Sequence, residues 1–173
     1  MSIGWGPPQD YFPSFEELVA NYPWDVSVSY IFSRVEAAKH VTIYCGIVKI
    51  HWADSSLTRE LIDKDYMSRA RFRELFKTVF GKPIKKDLLI MLSAAEDIRD
   101  KIAHGKNWRP EQARNALKNI FNFAEEFNEF VNTEAGFKPF GQLKGFKGRK
   151  ESLSKETTRW VLLGMGIPAK VEK

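Results

Sequence analysis

Near the middle of the chain, Arg99-Asp100-Lys101-Ile102-Ala103-His104 sets an arginine, an acid and a histidine in an Arg-x4-His spacing, followed at once by Gly105. Arginine is a permanent cation, and histidine titrates near neutral pH. Together they are a minimal kit for splitting a phosphodiester. In RNA the reaction would be attack of a ribose 2′-OH on the adjacent phosphate. That step needs a proton acceptor, a proton donor to the leaving oxygen, and positive charge for the pentacoordinate transition state. Histidine can fill either proton role, because its pKa lies near the operating pH. Arginine stabilises charge on the phosphoryl oxygens through bidentate donors. Asp100 can orient Arg99 or a histidine of a partner chain. The scheme requires no metal and no cofactor.

These residues close a segment, about Lys85 to His104, whose apolar spacing is helical: Leu88, Met91, Leu92, Ala95, Ile98 and Ile102 form a stripe. Arg99 falls inside that stripe, one turn after Ala95 and one before Ile102. A guanidinium on a core-facing surface is costly unless it is paired or faces a ligand. His104 lies ~140° round from Arg99 and ~7.5 Å further along the axis. Two copies of the helix related by a two-fold axis would converge more easily than one helix alone. The spacing therefore predicts a site shared across a homodimer. A C-terminal helix position favours the protonated imidazole, and Gly105 suits the left-handed residue that follows a helix end.

The other elements also read as helices. Ser14–Asn21 is a short one, with Ser14 as its expected cap and Glu16 and Glu17 in its first turn. From Ser27 to Ala53, Ile31, Val35, Ala38, Thr42, Cys45, Val48 and Trp52 recur at steps of three and four. Asp54-Ser55-Ser56 interrupts this run and can cap a helix over Leu57–Asp65. Met67–Phe80 presents Phe72, Leu75, Phe76, Val79 and Phe80 on one face, and Gly81-Lys82-Pro83 stops it. Another helix opens at Pro110, carries Ala113, Leu117, Ile120, Ala124, Phe127 and Val131 as its stripe, and ends at Glu134-Ala135-Gly136. A last short helix covers Ser154–Leu163. No segment alternates with the period of a strand. The expected fold is all-α, an antiparallel bundle of four main helices with a short C-terminal helix after a basic loop. The chain divides into an irregular N-terminal arm (1–26), the bundle (27–135) and the basic Gly/Phe-containing loop with its helix (136–173).

Composition narrows the class. With 173 residues, 43% of them hydrophobic, the chain can bury a core without staples, and disorder throughout is excluded. A single cysteine, Cys45, cannot form an internal disulfide, which suits a reducing compartment. The first residues carry no secretory pattern and no apolar run approaches a membrane span, so a soluble, cytoplasmic protein that does not engage a membrane is expected. The net charge is +5, and the stretch from Ala135 to Lys150 holds five basic residues and no acid. Lys144, Lys147, Arg149 and Lys150 in that stretch can contact RNA phosphates, with Phe140 or Phe146 stacking on bases; the competing reading is a solvated linker. Lys101, Lys106 and Arg109 flank the Arg-x4-His motif and are better placed to hold a scissile strand.

Other features read as structural. Arg69, Arg71, Arg73 and Lys77 are expected to form a plain solvated face. His40 and His51 lie without Cys or carboxylate partners at a metal-ligand spacing, and Cys45 falls on an apolar stripe as a core thiol. Phe80-Gly81-Lys82-Pro83 lacks the first glycine and the Ser/Thr of a phosphate loop. Gly164-Met165-Gly166 follows a helix rather than a strand, which argues against a dinucleotide site.

The motif in this setting, Arg99-Asp100-x-x-x-His104 at the end of a bundle helix with Gly105 and an amphipathic helix after it, resembles the HEPN superfamily. The resemblance spans roughly residues 27 to 135 and leaves the basic tail outside it. It implies a homodimer whose two Arg-x4-His motifs form one metal-independent endoribonuclease site, leaving 2′,3′-cyclic phosphate and 5′-OH ends. It also implies a toxin or phage-defence role, with any antitoxin or inhibitor as a separate chain. Arg99 would clamp the phosphate, His104 would transfer protons and Asp100 would orient. The alternative is a non-catalytic HEPN module that binds RNA or a partner protein.

Overall fold

The computed structural model describes residues 10–141, 143, 146 and 151–169. Among the described residues seven helices follow in order: α1 (Phe15–Asn21), α2 (Trp24–Ile50), α3 (Ser55–Lys64), α4 (Arg69–Phe80), α5 (Lys86–Ala103), α6 (Pro110–Ala135) and α7 (Lys155–Gly164). Among the described residues there is no strand, as the all-α reading expects. No helix among them is long and apolar enough to cross a membrane.

Helix α2 is the centre. Its 27 residues span about 40 Å. It packs against α1, α3, α4, α5 and α6, while α5 packs along α6 and α3 against α7. Val28, Ile31, Phe32, Val35, Ile43, Cys45, Ile47 and Val48 are all buried, so several faces of α2 meet neighbours. Gly46 lets α4 come close: a Cβ there would stand 2.7 Å from Val79 Cγ1 and 2.9 Å from Phe80 Cζ. Across from it the rings of Phe72, Phe76 and Phe127 lie 5.9–6.3 Å apart in tilted and edge contacts, and join α4 to α6.

Local chemistry sets most boundaries. Asp54 accepts from Leu57 N–H at 2.8 Å and so starts α3 at Ser55, two residues before the expected Leu57. Ser68 Oγ accepts from Arg71 N–H at 3.1 Å, Ser154 Oγ accepts from Thr157 N–H at 3.1 Å, and Pro110 opens α6 at its first position. Gly81, Gly105 and Gly136 are left-handed residues just past helix ends. Ser14 makes no side-chain cap, contrary to expectation. Helix α2 begins at Trp24 and stops at Ile50 rather than running from Ser27 to Ala53; Trp52 leaves the helical path at φ 61° and is exposed.

The core does not respect the three-part division by residue number. Phe12 and Phe15 from the expected irregular arm are buried, and so are Phe137, Phe140, Leu162 and Ile167 from the expected loop-and-helix segment. Asn128 fixes the turn after α6 with both ends of its amide. Its Nδ2 donates to Phe140 C=O at 3.1 Å, and its Oδ1 accepts from Phe140 N–H at 2.8 Å. Phe140 is consequently 4% exposed, which removes it as a ring for stacking on bases.

Candidate functional site

The end of α5 is built by its own backbone. His104 N–H donates to Asp100 C=O at 3.0 Å, Gly105 N–H to Ile102 C=O at 3.2 Å, and Lys106 N–H to Lys101 C=O at 2.8 Å. The last two bonds, with Gly105 at φ 62°, form a Schellman closure. It brings the main chains of Lys101 and Lys106 together, with His104 on the turn between them. His104, Lys106 and Arg109 are exposed and Lys101 is half-buried. The chain then enters α6 at once. Arg109 N–H donates to Gln112 Oε1 at 2.9 Å, and Gln112 N–H donates to Arg109 C=O at 2.9 Å. Three basic residues and the histidine thus occupy one short, well-bonded corner between α5 and α6.

Arg99 takes the opposite side of α5. Its guanidinium carbon lies 5.5 Å from the centre of the Phe32 ring of α2, a cation–π contact at the edge of the core. Its side chain is 34% exposed, and Nη1 lies 3.4 Å from Asp100 Oδ1. Its Nε is buried, and among the described residues it has no hydrogen-bond partner. A guanidinium carries five N–H donors, and this one spends few of them on the protein. Among the described residues no hydrogen bond or ion pair joins Arg99 to His104. The helical divergence expected from five residues of separation stands: the two side chains of one chain do not meet.

A ladder of alternating charge lies behind the motif, and it was not foreseen. Asp100 Oδ2 accepts from Arg69 Nη2 at 2.7 Å, and Arg69 Nε lies 3.1 Å from Glu96 Oε2. Glu96 Oε1 accepts from Lys39 Nζ at 3.1 Å, and Lys39 also donates to Glu36 at 2.9 Å. The order Glu36, Lys39, Glu96, Arg69, Asp100, Arg99 crosses α2, α5 and α4 and sums to zero charge. Lys39 is 3% and Glu96 1% exposed, so each needs the other as a partner in the interior. Burial works against the Arg69 charge, but the Asp100 hydrogen bond and the Glu96 and Asp100 carboxylates outweigh it and raise its pKa above the ordinary value.

The expected solvated arginine face needs correcting at two places, Arg69 and Arg71, while Arg73 stays exposed. Arg69 belongs to this ladder. Arg71 holds Asp65 with two donors at 3.1 and 3.0 Å and also donates to Gly166 C=O at 2.7 Å. Arg73 donates to Ser93 Oγ at 3.1 Å. Arg73 and Lys77 are the exposed cations of that group, as expected. The reason is reach: a guanidinium on a long stem bridges helices whose backbones are not close.

Other sequence candidates find plain places. His51 Nε2 sits 2.8 Å from Val79 C=O, a bond between the end of α2 and α4. Cys45 is buried, and burial pushes its thiol up to about 12, against smaller opposing effects of Arg59 and Lys49. Lys144, Lys147, Arg149 and Lys150 lie outside the described residues. Phe146 is partly buried, edge-on to Phe137 with ring centres 6.0 Å apart. Among the described residues no three His, Cys, Asp or Glu side chains converge as they would to hold a metal ion. Elsewhere among the described residues, a surface groove of about 740 Å³ lies beside Leu61 and Leu163 and one of about 340 Å³ beside Phe130 and Glu134. Comparison with protein-family models, curated proteins and solved structures found no match.

Proposed function

We propose that the chain is a HEPN-type, metal-independent endoribonuclease working as a homodimer, with α2, α4, α5 and α6 as the antiparallel bundle of that superfamily. The observation that carries the reading is Arg99: a partly exposed guanidinium, lying over Phe32, with most of its donors unspent, five residues before an exposed histidine. Such a group is suited to donate to two phosphoryl oxygens.

In the proposed reaction the imidazole of His104 removes the proton from the ribose 2′-OH. The freed oxygen attacks phosphorus, and the bond to the 5′-oxygen breaks. A protonated imidazole, His104 of either subunit, gives its proton to that leaving oxygen. Arg99 stabilises the extra negative charge on the phosphoryl oxygens between these events. The products are a 2′,3′-cyclic phosphate and a 5′-OH. Because Arg99 and His104 of one chain diverge, the working set is assembled from two chains. Lys101, Lys106 and Arg109 would hold the strand by its phosphates, joined by Lys144, Lys147, Arg149 and Lys150 from the tail. A toxin or phage-defence role is what the resemblance implies for its biology.

An RNA oligonucleotide and the same sequence carrying 2′-deoxyribose throughout test the chemistry. The expected result is cleavage of the first, leaving cyclic phosphate ends, and none of the second. Cleavage of both, or 3′-OH ends, would rule out attack by the 2′-oxygen. Binding of both without cleavage would favour the non-catalytic module.

A further inference from the structure

Ser93, Glu96 and Asp100 fall at steps of three and four and so share one face of α5. Helix α4 addresses that face with two arginines one turn apart. Arg73 donates to Ser93, and Arg69 takes both Glu96 and Asp100. The Arg69 contacts are unequal in depth: Glu96 is buried, whereas Asp100 is about one third exposed. Glu96, itself held by Lys39, is the fixed end. Asp100 is the end that faces Arg99.

We propose that Arg69 is a positioning residue for Arg99, acting through Asp100. Arg69 Nη2 holds Asp100 Oδ2 at 2.7 Å, and the other oxygen then meets Arg99 Nη1 at only 3.4 Å. A carboxylate free of Arg69 could turn both oxygens to its neighbour and close a two-pronged pair. That pair would use the same donors that a phosphate needs. Arg69 thus keeps Asp100 as a light guide for Arg99 rather than a competitor for it. A fork is needed to reach two carboxylates at once, which an ammonium cannot reproduce. The effect on rate rests on the ribonuclease reading; the effect on Arg99 itself does not.

The test uses the full chain and two substitutions, Arg69→Gln and Arg69→Lys, each made alone and together with Asp100→Asn. The Lys variant keeps a cation beside buried Glu96 and guards against simple misfolding of the Gln variant. The first readout is the Nε–Hε resonance of Arg99 by NMR, assigned by its loss in Arg99→Lys. It should move in both single variants. With Asp100→Asn already present, neither Arg69 substitution should move it further. The second readout is cleavage. Loss of Arg69 should lower kcat by up to about 100-fold, the scale of a misplaced group, and by less than about twofold once Asp100 is Asn. An unmoved resonance, or effects of Arg69 and Asp100 that simply multiply, would overturn the proposal even if the wild type cleaves RNA. A wild type that cuts no RNA would sink the ribonuclease reading, and the NMR result would then decide this one by itself.

Discussion

Replacing Glu96 by leucine removes the buried carboxylate that joins Lys39 to Arg69. Lys39 is 3% exposed and would keep only Glu36, an α2 neighbour whose side chain is 39% exposed. Arg69 would keep Asp100. Breaking a buried pair by deleting one partner costs about 3–5 kcal/mol, because the other charge is left without compensation. Glu36 and Asp100 remain as partial partners, so the lower end, about 3 kcal/mol, is expected. For a domain of this size each kcal/mol lowers Tm by about 2–4 °C, so a fall of about 6–12 °C should appear in calorimetry. The companion variant, Lys39→Met with Glu96→Leu, replaces the buried pair by apolar groups and should recover most of that loss. A single variant that melts within about 1 °C of wild type, or a double variant no better than the single, would refute the claim that this pair is buried and mutually dependent.

Three further outcomes follow from particular contacts. Gly105→Ala puts a side chain at φ 62° with nothing within 4 Å of the new Cβ, so the cost is conformational, about 1 kcal/mol, and Tm should fall by about 2–4 °C; no change would mean the Schellman closure does not set the end of α5. Cys45, its thiol pushed up to about 12, should resist iodoacetamide at pH 8, where roughly 10⁻⁴ of it is thiolate, and react only on unfolding; rapid native-state alkylation, followed by mass spectrometry, would contradict its burial. Arg99→Lys should lower kcat by about 100-fold or more with little change in Tm, since an ammonium keeps the charge and loses the fork; wild-type turnover would remove Arg99 from the clamp role.

The helices were legible because their signals are local. A periodic apolar stripe, a capping Asp54, a first-turn Pro110 and the left-handed Gly81, Gly105 and Gly136 each act within one turn, and each sits where the chain bends or enters a helix. Trp52 continued the stripe by spacing alone, yet the backbone had already left the helix at Ile50. The ladder behind Arg99 was not legible in the same way. Lys39 and Glu96 are 57 residues apart, and nothing local joins them. A signal was present all the same. Lys39 lies one turn after Val35, and Glu96 one turn after Leu92, so each is a charge beside an apolar stripe, and the two charges are opposite. Two such intrusions on different helices are most cheaply buried together. Phe12 and Phe140 were missed for a different reason: aromatics beside Pro and Gly in irregular chain give no period, and only the assembled core shows where they go.

The central claim is that an exposed His104 at the end of α5 carries proton transfer in RNA cleavage without a metal ion. His104 makes no side-chain contact that the fold depends on among the described residues, so His104→Ala should keep its Tm. The decisive measurement is cleavage of total and synthetic RNA in EDTA by wild type and His104→Ala, purified side by side. Cutting by the wild type alone, with 2′,3′-cyclic phosphate ends, is the predicted result. Equal cutting by both proteins, or by neither on any RNA, would contradict it.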